Sequence, residues 1–298
     1  MANRSTFSTI ASTTTLLGLL ATLLGSAAVS AQDISPAAEV VLGSDLTFVP
    51  LNPARGDAAP QAGVLWGDIK RNVPSGVLLK FADGFSSPPH IHNITYRAVV
   101  IEGAVHNDDP NAEEMWMGAG SYWTQPAGES HITAGANGSG ATAFLEILEG
   151  PYLVQPAEEA LDNGERPINM DASNIVWLDA ADVTWAYKPT NDEIETAPKM
   201  AFLWGSVEND EKNGTFLKLP AGYDGTLTGN DAWLRAVVIR GEINHQLPDA
   251  SKSRELEPGS YFGAEGDIRH HISCGTGQDC TLYISTEGRY AIADSHKG

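Results

Sequence analysis

The chain of 298 residues has few basic side chains, two cysteines and no long stretch with helical periodicity. Lysine and arginine total 18 against 38 aspartate and glutamate residues, so the formal net charge is -20. A surface of this sign repels nucleic acid and anionic membranes, which we therefore exclude as partners. Short runs of β-forming residues, separated by Gly, Pro, Asn and Asp, predict an all-β fold.

The longest apolar run lies near the N-terminus, between Leu16 and Leu24. It follows Arg4 and a stretch rich in serine and threonine, and it precedes small residues that end at Ala31. This order is typical of a signal peptide over residues 1–31 that is cleaved after Ala31. The run is short for a membrane span, although an uncleaved anchor stays open as the alternative. We expect a periplasmic or secreted protein without membrane insertion after cleavage.

Both cysteines, Cys274 and Cys280, lie near the C-terminus in the same short segment. In an oxidising compartment this spacing can close a small loop as a disulfide. Two free thiols are the alternative that the sequence leaves open.

The chain contains a long internal repeat. The string 97–103 recurs as 235–241, and the Trp-Gly pair at Trp66 recurs at Trp204. Two copies of about 115 residues each have the usual size of one domain, so the repeat predicts a duplicated domain. Helical turns are expected only in the connection 155–172, because it contains a proline followed by acidic residues.

Three histidines of the first copy have a spacing that suits one metal ion. His90 and His92 are two residues apart, so on an extended strand they point to the same face. His131 has to reach them from another strand. Imidazoles bind divalent transition metals such as Fe, Zn, Mn, Ni and Cu. We predict one such ion per chain, held by His90, His92 and His131.

The strings around these histidines, 84–103 and 120–131, resemble the paired motifs of the cupin superfamily. In that family the first motif supplies His, His and Glu, and the second supplies the last His. Tyr96 stands where the family has its glutamate, and Gly135 stands where the second motif often ends in asparagine. The resemblance implies a bicupin with two tandem jelly-roll barrels. The predicted parts are a metal-binding barrel over 38–155, a linker over 156–171 and a ligand-depleted barrel over 172–298.

The second copy keeps the scaffold residues but loses most of the ligands. Thr228, Asn230 and His270 stand at the three ligand positions, and Leu234 stands at the position of Tyr96. We expect the second barrel to bind no metal and to have a structural role, either closing off the first barrel or pairing with it.

Three neutral imidazoles leave the charge of the ion uncompensated and leave coordination positions open. Such a site suits a bidentate oxygen ligand such as an enolate or a carboxylate. Within cupins, three-His sites without the glutamate look like those of iron enzymes that cleave β-diketones with dioxygen. The resemblance thus implies dioxygen-dependent C–C cleavage of a small oxygenated molecule. The alternatives are a lyase or isomerase that uses Tyr96, a non-catalytic metal or ligand sensor, and a structural, storage-like protein.

Three further side chains carry predictions. Tyr96 shares the strand parity of the histidine pair, so it is expected to face the ion, either as a catalytic acid or base or as packing. Glu146 lies on an apolar strand and is expected to point outward into solvent, with an inward replacement carboxylate as the alternative. Arg97 has the opposite parity and recurs as Arg235, which indicates an ion pair in the scaffold. A homodimer stays open.

Overall fold

A computed structural model describes residues 38–138, 140–179, 182–187, 197–208, 210–230 and 232–295. The predicted leader, residues 1–31, lies outside the described residues. Within the described part, no helix is long and apolar enough to cross a membrane.

Strands account for most of the regular structure in both halves of the chain. The first half contains β1 (Ala38–Val41), β2 (Val49–Pro50), β3 (Gln61–Trp66), β4 (Ser75–Phe81), β5 (His90–His92), β6 (Tyr96–Asp108), β7 (Met117–Gly118), β8 (Tyr122–Gln125), β9 (Ile132–Gly135), β10 (Ala141–Ile147), β11 (Val154–Pro156) and β12 (Ile168–Met170). The second half contains β13 (Lys199–Gly205), β14 (Lys212–Leu219), β15 (Asp224–Thr228), β16 (Trp233–Arg240), β17 (Ile243–Gln246), β18 (Arg254–Leu256), β19 (Tyr261–Glu265), β20 (Arg269–Cys274), β21 (Cys280–Glu287) and β22 (Ala291–Asp294).

Each copy folds as two antiparallel sheets that enclose a core. The larger sheet of the first copy has the order β12-β8-β6-β10-β4-β3-β2, and the smaller one consists of β5 and β11, with β7 and β9 on the far half of β6. The second copy has the orders β1-β19-β16-β21-β14-β13 and β18-β17-β20-β15-β22. The all-β, two-barrel prediction is confirmed.

A repeated glycine turns the chain from one sheet to the other in each copy. Gly103 in β6 and Gly241 between β16 and β17 have φ angles of 73° and 77°. These values lie in the left-handed region, where a side chain on Cβ is strained. The glycine therefore allows the second half of β6 to reach the small sheet that carries the histidines.

The N-terminal strand of each copy pairs with the other barrel. β1 is antiparallel to β19 of the second copy, and β12 is antiparallel to β8 of the first. Residues 38–41 lie within the predicted first barrel and 168–170 within the predicted linker, so both strands pair outside the part of the chain to which they were assigned. Each exchanged strand supplies backbone hydrogen-bond partners to a strand that would otherwise be a sheet edge.

Helical structure is limited to short 3-10 segments in the described part of the chain. One of them, Ala157–Glu159, lies in the predicted connection, but others occupy Gly43–Asp45 and Pro53–Ala58 in the first copy. The prediction of helical turns only in the connection is therefore wrong. The segment at Pro53 forms because proline begins the turn and the Asn52 side chain accepts a hydrogen bond from the Ala54 amide (3.0 Å).

Two arginine–tryptophan stacks join the barrels across their shared apolar interface. The Arg97 guanidinium lies 4.1 Å from the ring centre of Trp204, and that of Arg235 lies 5.6 Å from Trp66. The scaffold ion pair predicted for Arg97 is not found, since no ion pair within 4.0 Å among the described residues includes either arginine. Stacking on an aromatic face replaces it.

Glu146 does not point into solvent. Its side chain is 2% exposed, and the Tyr283 hydroxyl of the other barrel donates a hydrogen bond to it over 2.6 Å. Burial raises the pKa of Glu146, and the Tyr283 hydrogen bond acts in the opposite direction. The outward prediction is wrong because the face of β10 that carries Glu146 packs against the second barrel.

Cys274 and Cys280 form a disulfide that links the end of β20 to the start of β21. The predicted pairing is confirmed.

Candidate metal centre

The three predicted ligands converge inside the first barrel. His90 and His92 come from β5, and His131 immediately precedes β9, where its backbone exchanges two hydrogen bonds of 3.0 Å with His90. One ring nitrogen from each lies within 4.8 Å of the other two. Among the described residues, no other group of three or more such side chains is as close.

Backbone carbonyls fix the orientation of all three rings. Each ring keeps its Nδ1 at hydrogen-bond distance from a carbonyl oxygen: His90 from Pro88 (2.9 Å), His92 from Leu153 (2.9 Å) and His131 from Glu129 (3.1 Å). A carbonyl can only accept, so Nδ1 carries the proton and Nε2 carries the lone pair. This arrangement is the usual support for a metal-binding imidazole.

Burial keeps these imidazoles neutral. It lowers the pKa of His131 to about 3, and it places the pKa of His92 well below the usual value, with further lowering by the two neighbouring rings. The pKa of His90 is also lowered by burial. Neutral imidazoles are the form that binds a metal, so the site is in its ligating state near pH 7.

A chain of hydrogen bonds sets the direction of the Tyr96 hydroxyl. The Glu129 carbonyl accepts from Gln125 Nε2 (3.1 Å), and Gln125 Oε1 accepts from Asn107 Nδ2 (2.9 Å). Asn107 Oδ1 is therefore an acceptor, and it receives the Tyr96 hydroxyl over 3.0 Å and that of Thr133 over 2.7 Å. Because the chain ends on a backbone carbonyl, the opposite direction would place two acceptors, Gln125 Oε1 and the Glu129 carbonyl oxygen, against each other.

Tyr96 consequently turns a lone pair towards the histidines. Its oxygen lies 3.4 Å from His131 Nε2, but its only proton is engaged with Asn107. Burial raises the pKa of Tyr96 above its usual value, so the phenol stays protonated. The predicted inward orientation is observed, whereas the geometry gives Tyr96 the role of an oxygen acceptor at the site.

Tyr152 is a residue of this site that the motif analysis missed. Its hydroxyl lies 3.1 Å from His92 Nε2, and its ring stacks on the His92 ring with centres 4.3 Å apart. It precedes Leu153, whose carbonyl orients the same histidine. Neither residue lies in the cupin-like strings, and the pairing of β11 with β5 that brings them close leaves no signal in the sequence spacing.

The second barrel holds a histidine pair at the corresponding place. His270, the counterpart of His131, lies with its Nδ1 2.9 Å from His245 Nε2. Both side chains are buried, and His245 stacks on Phe262 with ring centres 4.4 Å apart. Thr228 ends the strand β15, and His270 belongs to no group of three or more His, Cys, Asp or Glu side chains found in the described residues.

Comparisons with known proteins give a family and a fold. The family described as "Domain of unknown function (DUF4437)" matches residues 39–293. No curated protein sequence matches the chain. A structure from Nostoc punctiforme, provisionally described as a dioxygenase, has a TM-score of 0.61 at 12% identity, over 84% of this chain and 82% of the other.

Two further structures extend the likeness. A variant of oxalate decarboxylase from Bacillus subtilis has a TM-score of 0.50 at 13% identity, over 86% of this chain and 78% of its own. The 7S globulin of Momordica charantia has a TM-score of 0.52 at 10% identity, over 85% of each chain. These proteins are cupins, so the predicted cupin fold is confirmed, while identities this low carry no reaction or substrate.

Proposed function

We propose that this chain, which belongs to the DUF4437 family, is a metal-dependent enzyme that acts on a small oxygenated organic molecule. The observation that supports the proposal best is the set of three Nε2 lone pairs, held towards one another by Nδ1 hydrogen bonds to three carbonyls. His90, His92 and His131 would hold one divalent transition metal. Three inward-facing imidazole lone pairs are a donor set that suits a divalent transition metal.

The surroundings of the histidines indicate an anionic substrate. The side chains around them are neutral donors and acceptors, namely Tyr96, Asn107, Gln125, Thr133 and Tyr152. The cluster includes no carboxylate. When bound, a divalent metal supplies positive charge and open coordination positions. An enolate or a carboxylate would provide the missing negative charge, and the lone pair of Tyr96 would accept a hydrogen bond beside it.

Within this class we favour dioxygen-dependent C–C cleavage of a diketone-like substrate. Tyr96 is committed as a donor to Asn107, which makes a lyase or isomerase that uses it as acid or base the second candidate. The Nostoc structure adds support by its provisional description only. The description of one structure of the Bacillus oxalate decarboxylase names Mn(II) centres. Manganese is therefore a candidate metal beside iron.

The test combines metal content with oxygen consumption. Protein loaded separately with Fe(II), Mn(II) or Zn(II) is analysed for metal and then incubated with acetylacetone and related diketones at an oxygen electrode. We expect one ion per chain and oxygen uptake in the iron or manganese form. The double change His90→Ala and His92→Ala should remove both.

Other outcomes identify the alternatives. Turnover without oxygen uptake would indicate a lyase or isomerase, and a loss of turnover of about 10²-fold in Tyr96→Phe with metal retained would make Tyr96 its acid or base. Tight metal binding without turnover would indicate a sensor. Failure to bind any metal would contradict the proposal itself and leave a structural role.

We also propose that the protein is exported. The disulfide between Cys274 and Cys280 supports this location, because such bonds persist in oxidising compartments. The N-terminal sequence of protein from its native compartment should begin at Gln32. An intact Met1 in that material would contradict export with cleavage.

A further inference from the structure

A cavity of about 230 Å³ opens on the second barrel, between β1 and the hairpin of β17 and β18. Its charged side chains are Lys252 and Arg254, and no acidic residue in the described part of the chain lines it. The chain as a whole has 38 acidic and 18 basic residues, so a cavity with charges of the minority sign only is unusual on this surface. The positive charge of the cavity favours the binding of an anion.

Arg254 is directed into the cavity by strand register. It is the cross-strand partner of His245, and it is two residues from Leu256, which is fully buried in the second core. Residues two apart in a strand share a face, so Arg254 shares the inner face of the hairpin with Leu256. Register thus places the exposed Arg254 side chain on the same face of the hairpin as His245.

The buried His245–His270 pair lies next to the cavity and has no part in the metal centre. The two side chains are 2% and 1% exposed, and burial lowers their pKa values to about 3 and about 4. Each neutral imidazole carries one N–H. One of these two groups makes the hydrogen bond between the rings, and the other is free for another acceptor. When His270 donates, the free N–H is on His245, which lines the cavity.

In the first barrel, a side chain links β12 to the end of β6 at the equivalent place. Asn169 of β12 donates to the Asn107 carbonyl (2.8 Å) and to the Asp108 carboxylate (2.9 Å). Val40 of β1 holds the matching position, because both residues pair with the second aromatic residue of the repeated Tyr-Trp or Tyr-Phe string. Valine cannot make these hydrogen bonds, and the second barrel stays open there.

We propose that the second barrel binds a small carboxylate anion in this cavity, with Arg254 and Lys252 as its charged partners and His245 as a further donor. The guanidinium fork matches a carboxylate in two parallel hydrogen bonds. The cavity is below the usual range of about 300–1,000 Å³ for ligand sites, so the anion is small. This site is separate from the metal centre and does not depend on the proposed reaction.

The test uses the full chain with His90→Ala and His92→Ala, so that no metal can bind the probe. Succinate is titrated by calorimetry and by NMR of the backbone amides of β17. We expect saturable binding that perturbs Gln246, and at least about tenfold weaker binding in the double variant Lys252→Gln and Arg254→Gln, the scale of a lost charged hydrogen bond. Val40→Asn should also weaken it, because an asparagine there can donate to β17 as Asn169 donates to the end of β6.

The matched control removes two exposed cations from the first barrel, Lys70→Gln and Arg71→Gln, and should bind as the parent does. Neutral succinamide should not bind. The proposal is overturned by absent binding, by an equal loss in the control pair, or by unchanged binding in the Lys252/Arg254 variant. Phosphate binding as tight as that of succinate would overturn the assignment to carboxylates.

Discussion

The position of Tyr96 shows how one residue changes the electrostatics of a cupin-like site. A glutamate there would bring a negative charge to the ion, whereas a protonated phenol brings only a lone pair. Spacing along β6 was sufficient to predict that Tyr96 faces inward. The direction of its proton could not be predicted, since it depends on Gln125 from β8 and on the Glu129 carbonyl, neither of which is close to Tyr96 in the sequence.

Asn107→Leu should weaken metal binding by about 10- to 100-fold, the usual effect of losing such a supporting partner. Without Asn107, the Tyr96 hydroxyl is free to donate to His131 Nε2, only 3.4 Å away, and competes with the ion. A competition titration with a chromophoric chelator measures the affinity. Adding Tyr96→Phe removes the competing donor and should restore most of the affinity; if it does not, lost packing explains the effect.

Tyr152→Phe should strengthen metal binding by about 2- to 10-fold, the value of one net hydrogen bond. The Tyr152 hydroxyl donates to His92 Nε2 over 3.1 Å, and this bond has to break before that nitrogen can bind an ion. The same chelator titration provides the measurement, with Tyr122→Phe, distant from the histidines in the interface core, as the control. Weaker binding would instead identify Tyr152 as a ligand.

At the level of the strand, β17 of the second barrel and the end of β6 in the first carry different residues at equivalent positions. His245 occupies the place that Asn107 has in the first, because each lies opposite the residue two positions after the repeated histidine. The repeat revealed that the second copy had lost two ligands. It could not reveal that His270 had gained a new partner, since His245 lies outside the strings that recur.

His245→Asn should make folding less sensitive to acid. The pKa values of His245 and His270 are lower in the folded than in the unfolded protein, so only the unfolded state gains protons as the pH falls below about 6.5. Stability is therefore lost between pH 6.5 and pH 4.5, by roughly 2 kcal/mol per histidine. Urea unfolding in anion-poor buffer at several pH values should show a shallower loss in the variant.

At pH 8 the histidines are neutral in both states. The difference in free energy of unfolding between variant and parent at this pH therefore gives the part of the effect that does not depend on protonation. If the difference in free energy of unfolding between variant and parent is the same at pH 8 and at pH 4.5, His245 has the same pKa in the folded and the unfolded protein.

At the scale of the whole molecule, the two barrels share one interface and exchange strands. The recurrence of Trp66 and Arg97 as Trp204 and Arg235 was visible in the sequence, and it indicated a scaffold role. It could not show that each arginine stacks on the tryptophan of the other copy, because a repeat gives equivalent positions within copies and no contacts between them. The exchange of β1 and β12 could not be predicted from the sequence either, because both strands are short and carry no motif.

Removing β1 should therefore weaken the barrel that is distant in sequence. A chain that begins at Gly43 lacks the strand that pairs with β19, so amides of 261–265 should exchange hydrogen at least about tenfold faster, equal to roughly 1.4 kcal/mol. Amides of 122–125 in β8 should keep their protection, because β12 still covers that edge. Hydrogen exchange followed by mass spectrometry resolves the two segments.

The reciprocal change is Asn169→Pro, which disrupts the pairing of β12 with β8. It should accelerate exchange in 122–125 and leave 261–265 protected, so the two variants have opposite patterns. If truncation of β1 exposed 122–125 instead, each barrel would be closed by its own N-terminal strand and the exchange would be refuted. A uniform rise over both segments would show that neither barrel holds its structure once one exchanged strand is lost.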